Sequence, residues 1–315
     1  MKRTFTCLVI LFFATVCVDA RVVELTLHPA KAAESAQKYQ LLPKPEEQSD
    51  SDALPLYKEA IESLPKNNLM EKISQWRRTP LDELPIKQVQ STLQQFKTTL
   101  QLVQKAAKCK QCQWSVLEDV TPPMELLGEF RKLATILAVQ TRLLITEGKY
   151  DQAIGTIQIG LAMAKHLGEA PTLVQGITGV AIGALMLNQV EAFIQVPDAP
   201  NLYWALRDLP KPLVDLTVEW EPHSIPKRVH MLMNRLDRHL TMLQCIEAMR
   251  LYAGAHGGKF PNKLSEITQV AIPSDPVSKK PFIYRRSGSE AVLEGPSVKG
   301  IKPEDMISCK LTLKE

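Results

Sequence analysis

From Asp52 to Gln195 the apolar residues recur at intervals of three and four, a period that commits this stretch to packed helices. Leu56, Ala60, Ile61 and Leu64 share one face of a first helix, and Pro65 stops it. Asp82 or Pro85 opens a second, with Val89, Leu93, Phe96, Leu100 and Val103 on its apolar side. The opposite side carries Lys, Gln and Thr and reads as a solvated face. Thr121-Pro122-Pro123 is a start signal, because proline suits the first helical turn. Met124–Glu147 follows, with Leu126, Phe130, Leu133, Leu137 and Leu144. A tight turn over Gly148–Ala153 then leads into another helix ending near Leu167.

Pro171 opens the next helix, Thr172 to Gln195. Its middle, Gly176 to Leu187, is almost wholly apolar and carries Gly176, Gly179 and Gly183. A membrane helix with a small-residue face fits that pattern, and so does a buried helix packed closely through its glycines. The apolar run is about a dozen residues, against the roughly 20 that a bilayer needs. Gln175, Asn188, Gln189 and Glu191 bound it, so a buried helix is expected. Prolines punctuate the chain from Pro197 to Pro226, and Leu202, Trp204, Leu206 and Leu209 pack in short turns between them.

Lys227 starts a long amphipathic helix, with Val229, Met233, Leu236, Leu240, Leu243, Ile246 and Met249 inward and Gly257-Gly258 at its stop. Strands are expected at Pro281–Arg285, Ala291–Leu293 and Ile307–Leu313, with a turn at Ser287-Gly288. The predicted fold is mainly α. A multi-helix domain over 52–222, containing an αα-hairpin, precedes a long helix and a small antiparallel β-hairpin sheet over 223–315. Residues 21–51 are expected to hold a short strand, Arg21 to Leu27, and an exposed linker.

The first twenty residues predict a compartment. Lys2 and Arg3 precede an apolar run, Cys7 to Val18, and Val18-Asp19-Ala20 places small residues where a signal peptidase cuts. The run is too short to span a bilayer, so a cleaved secretory signal over 1–20 is expected. Cys17 lacks the small residue that precedes a lipidated cysteine. Losing Lys2, Arg3 and Asp19 from 38 basic and 34 acidic residues leaves a net charge of about +3. That is too little to argue for nucleic acid or an anionic membrane. Export also removes the chain from cytosolic nucleotide pools, which weakens kinase and dehydrogenase readings.

Among reactive residues the sharpest pattern is Cys109-Lys-Gln-Cys112. A two-residue gap suits a small structural disulfide, a redox dithiol or half of a zinc site, and two buried free thiols remain an alternative. With Cys245 and Cys309 the mature chain has four cysteines, an even count that suits an oxidising compartment. Their pairing is open. Gly254–Phe260 approaches a phosphate loop but has three residues between its glycines instead of four, and Phe after Lys259. His223, His230, His239 and His256 are too widely spaced for a shared helical turn, so no metal is expected. Glu219, Glu221 and Asp237 form no fixed carboxylate pair. No Gly-x-Ser-x-Gly is present. Asp275-Pro276 reads as a turn, since one carboxylate is too few for calcium.

Three resemblances carry these patterns further. The corner at Gly148, with Tyr150 and Ala153, resembles one tetratricopeptide helix pair, a module that elsewhere stacks in arrays of about three or more. Leu240 to Leu293, with its helix, Gly-Gly stop, Asp275-Pro276 and hairpin, resembles the C-terminal half of type II secretion pseudopilins. In that family a long hydrophobic N-terminal helix directly precedes the module; here about two hundred residues do. Gln37–Pro43, Asp52–Tyr57, Pro171–Gln175 and Asn201–Leu206 resemble exported proteins of planctomycete-type bacteria, a resemblance that implies no catalytic residue.

The expected function is that of an exported, non-catalytic helical interaction or envelope-assembly protein in the periplasm or cell envelope. It would bind protein partners, need no cofactor or metal, touch no nucleic acid and keep no integral membrane span. The alternatives are a thiol redox protein using Cys109 and Cys112, and a pseudopilin-like secretion component.

Overall fold

The computed structural model describes residues 22–31, 38–66, 68–114, 124–216, 225–298 and 306–314. The signal segment 1–20, Thr121-Pro122-Pro123, Glu219, Glu221 and His223 lie outside them.

Asp52 starts the helical region as its composition allows. Its backbone is extended and its carboxylate accepts the Leu54 N–H at 3.1 Å, capping α1 (Ala53–Glu62). Helix α2 (Leu69–Trp76) comes next, where the sequence reading placed no element. The single helix expected after Pro85 is in fact two, α3 (Ile86–Gln94) and α4 (Lys97–Ala107), parted at Gln95-Phe96. The break has a packing cause. Val89, Leu93 and Phe96 join Ile73, Trp76, Ile136 and Val139 in a small cluster of their own. Leu102, Val103 and Ala106 instead enter the main core. One straight helix would carry both sets in the same direction.

Helices α5 (Met124–Thr146) and α6 (Tyr150–Gly168) form the expected αα-hairpin. Gly148 makes the corner at φ +69°, where a side chain would be strained. Thr172 then opens α7 (Leu173–Ile194) with a full capping box to Gln175. Two thirds of the most apolar window of α7 is buried, and α7 packs on α5 and α6 and on the later long helix. Among the described residues it alone is long and apolar enough to cross a membrane. At Gly179 an added Cβ would sit 2.6 Å from the Ala164 carbonyl oxygen, so glycine sets how closely α6 and α7 approach.

A short α8 (Tyr203–Arg207) leads to α9 (Lys227–Ala255), which Gly257 and Gly258 end at φ +60° and +69°. The C-terminal strands β4 (Ile283–Ser287), β5 (Glu290–Glu294) and β6 (Ser308–Leu313) form the expected antiparallel sheet. A fourth strand completes it from the other end of the chain. β1 (Val22–Leu27) lies parallel to β6, giving the order β1-β6-β5-β4. Within the stretch expected to be a linker, β2 (Ser49–Asp52) pairs in parallel with β3 (Cys109–Gln111). Leu25 and Leu27 of β1, Leu293 of β5, Leu311 of β6 and Ile246 of α9 share one core with α5, α6 and α7.

Candidate functional site

Among the described residues a groove of about 940 Å³ lies between α3–α4 and α5–α6. Leu93, Leu143 and Leu144 are buried at its base, with Leu100 and Ile159 half-buried beside them. Glutamines dominate the rest. Gln90, Gln94, Gln101 and Gln104 project from α3 and α4, and Gln140 and Gln152 face them from α5 and α6. Gln158 closes one end by donating to the carbonyls of Gln40 and Leu42 at 3.3 and 3.0 Å. Gln90 donates to Glu147 at 2.5 Å, and Lys149 lies 2.8 Å from the same carboxylate. The Lys149 ammonium holds the Glu147 carboxyl below its usual range. The amides of Gln94, Gln101, Gln104, Gln140 and Gln152 bond no other described residue. Lys97 and Lys108, on the same wall, form no ion pair among the described residues. From Leu84 to Leu117 the chain contains no Asp or Glu, so this wall is basic and amide-rich throughout. Sequence reasoning took it for an ordinary solvated face.

The cysteines are placed elsewhere. All four described thiols are free and buried. Cys109 lies in the extended strand β3, where each residue advances about 3.3 Å. Cys112 is therefore on the order of 10 Å away between Cα atoms, beyond the ~7 Å that a disulfide bridges. Burial pushes the Cys112 and Cys309 thiols up and raises that of Cys245 to about 12. A redox or metal-binding cysteine needs the opposite shift, toward thiolate. Cys309 contacts the Met242 sulfur at 3.3 Å, an apolar packing contact between β6 and α9.

Beside Cys109 lies a buried pair that the spacing did not suggest. Tyr57 Oη is 3.0 Å from His166 Nδ1, and His166 Nε2 is 3.1 Å from the Cys109 carbonyl. A carbonyl only accepts, so Nε2 carries the proton, Nδ1 accepts, and the tyrosine donates. Burial lowers the His166 pKa and keeps the ring neutral. The His166 carbonyl accepts from Trp114 Nε1 at 2.9 Å, tying β3 and its following turn to α6.

Two further polar clusters hang from α9, one from its apparent polar face at Arg238 and one in phase with its apolar stripe at Glu247 and Arg250. Arg238 forms a two-pronged pair with Asp275, Nε to Oδ1 at 3.1 Å and Nη2 to Oδ2 at 2.8 Å, and also donates to the Pro296 carbonyl. Both side chains are almost fully buried. Asp275 makes the expected turn as well, accepting from Val277 N–H and Ser278 Oγ. Three turns along, Glu247 and Arg250 pair at 2.9 Å with neither exposed. Asn201 donates to the Glu247 carboxylate, and Arg250 donates to the His28 and Ala199 carbonyls. His239 meets Glu191 of α7 at 2.7 Å. His256 stacks on Tyr252 with ring centres 3.7 Å apart. Among the described residues no group of three or more His, Cys, Asp or Glu is arranged to hold a metal ion. The near-phosphate-loop residue Gly254 abuts the Ala30 carbonyl, so its lack of a side chain serves packing.

These clusters clamp secondary structure together, whereas the groove is open and carries unused hydrogen-bonding groups. Comparison of the chain with family models, with curated proteins and with solved structures gave no match.

Proposed function

We propose that this protein is an exported, non-catalytic helical interaction protein that holds a protein partner in the glutamine-lined groove. The groove carries the reading. It offers open amides over an apolar base, a combination suited to holding a ligand by many weak contacts. The signal-like N-terminus supports a location in the periplasm or at the envelope. The thiol redox alternative requires Cys109 and Cys112 to approach, and an extended strand separates them. The pseudopilin-like alternative calls for a long hydrophobic helix directly before the module, and about two hundred residues stand there instead.

The test is site-specific photo-crosslinking in cell envelopes, with the probe at Gln101 in the groove or at Lys58, exposed on α1. A reproducible adduct from Gln101 and none from Lys58 supports the reading. Equal or absent labelling at both positions overturns it.

A further inference from the structure

We infer that the groove takes an extended, acidic segment of polypeptide, held through its main chain by the glutamine amides and through its carboxylates by Lys97 and Lys108. This inference rests on the proposed interaction function and names its partner chemistry.

Lys97, Gln101, Gln104 and Lys108 recur at intervals of four, three and four, so they form one stripe along α4. Eleven residues at 1.5 Å each put the two lysines about 16 Å apart along the axis. An extended chain advances about 3.3 Å per residue, so roughly five residues span that stripe. A peptide lying there presents alternating N–H and C=O groups to the wall. A glutamine side chain carries both a donor and an acceptor and can answer either. A purely apolar wall offers neither group. The facing wall repeats the chemistry with Gln140 and Gln152.

Charge favours an acidic ligand. The α3–α4 wall lies in a stretch without a carboxylate, and its two groove lysines have no acidic partner among the described residues. Across the groove Glu147 is occupied by Lys149 and Gln90. Glu47, exposed at the rim, is the counter-charge that a ligand must pass. Among the described residues no aromatic side chain lines the groove, which disfavours nucleobases, since these bind by stacking on rings.

The experiment uses the mature full-length chain and fluorescein-labelled nonapeptides read by anisotropy. One peptide carries Glu at positions 2 and 6, on one face of the extended chain, in a Ser/Ala background. A second replaces both Glu by Lys, and a third keeps both Glu but N-methylates alternate backbone amides. The first is expected to bind at least tenfold more tightly than either of the others. K97E/K108E should lose at least tenfold for the acidic peptide, and Q101A/Q104A about fivefold. All four side chains are exposed, so the thermal midpoint of each variant should match the wild type, as a check on folding. Equal binding of the three peptides overturns the inference, as does binding that survives K97E/K108E. Dextran sulfate that binds through the same lysines while the acidic peptide does not would overturn it in favour of an anionic polysaccharide. If crosslinking from Gln101 captures a protein but no acidic peptide binds, the peptide chemistry fails and the interaction function stands. If neither is seen, both fail.

Discussion

Arg238 and Asp275 show what a charged residue does when the chain buries it. An isolated guanidinium inside a protein costs several kcal/mol, so it persists only with a geometrically matched counter-ion. Removing one partner should therefore hurt far more than removing both. Asp275→Ala is expected to cost about 3–5 kcal/mol in urea unfolding, and the double variant Arg238→Met with Asp275→Ala should recover much of that loss. Asp237, the next residue toward the N-terminus, behaves differently. Burial raises its pKa to about 6, although the Leu213 N–H at 2.9 Å and the nearby Lys211 oppose the shift. The folded state thus holds this proton more tightly than the unfolded chain, whose value is 3.8. Its contribution to stability is present below pH 4, falls between pH 4 and 6, and stays lost above. Asp237→Asn keeps an acceptor for Leu213 but cannot ionise. It should match the wild type near pH 4 and exceed it by about 2–3 kcal/mol at pH 7.5, read from urea midpoints at each pH. Little of this was read from the sequence. Asp237 and Arg238 sit on positions that helical periodicity sends to water, whereas Glu247 and Arg250 continue the apolar stripe of Leu236, Leu240 and Leu243, a placement that marks them as buried. The Asp275 partner of Arg238 and the Asn201 partner of Glu247 lie 37 and 46 residues away in the chain, beyond any local pattern, although Glu247 and Arg250 are themselves neighbours on one helix.

At the scale of elements, the legible parts were those with local causes. The cap at Asp52, the corner at Gly148, the proline before α7 and the Gly-Gly stop after α9 all act within a few residues. The division between α3 and α4 was not legible, because a period reports which residues share a face and not which core that face meets. The groove was missed for a related reason. Glutamine and lysine on a helix face look the same beside solvent as beside a facing wall, and only the run without a carboxylate from Leu84 to Leu117 hinted at more. Glycine in helices gives a test of packing at this scale. Gly179→Ala would push a methyl group against the Ala164 carbonyl and force α6 and α7 apart. It should destabilise by about 1–3 kcal/mol. At Gly128 of α5 an added Cβ meets nothing within 4 Å. Gly128→Ala should instead stabilise by about 0.5–1 kcal/mol, because alanine loses less backbone entropy. Thermal melts of the two variants should shift in opposite directions, and a loss at both positions would overturn the assignment of Gly128 to open space.

On the scale of the whole molecule, the chain closes on itself. β1 adds to the sheet by pairing with β6, residue for residue from Val22 with Ser308 to Leu27 with Leu313. The Arg250 guanidinium and carbonyl both hold the segment just after β1, through His28 and Ala30. A sequence read from left to right assigns that strand and the C-terminal sheet to separate regions, because a parallel pairing across nearly the whole chain leaves no local mark. The consequence concerns separability. A fragment of 223–315 lacks β1, and it also exposes the faces of α9 that pack on α7 and α8. Such a fragment should fail to give a cooperative thermal transition. In the full chain, deleting Val22–Leu27 uncovers Leu311 and removes the buried Leu25 and Leu27. Burying two leucines contributes about 3–6 kcal/mol, so this deletion should lower the unfolding midpoint of the helices together with the sheet. Hydrogen exchange gives the sharper reading. If α9 and β6 lose protection together after the deletion, helices and sheet form one cooperative unit. If only β6 loses protection, the sheet is an appendage, and the clamp between Arg250 and the N-terminal segment contributes little to holding it.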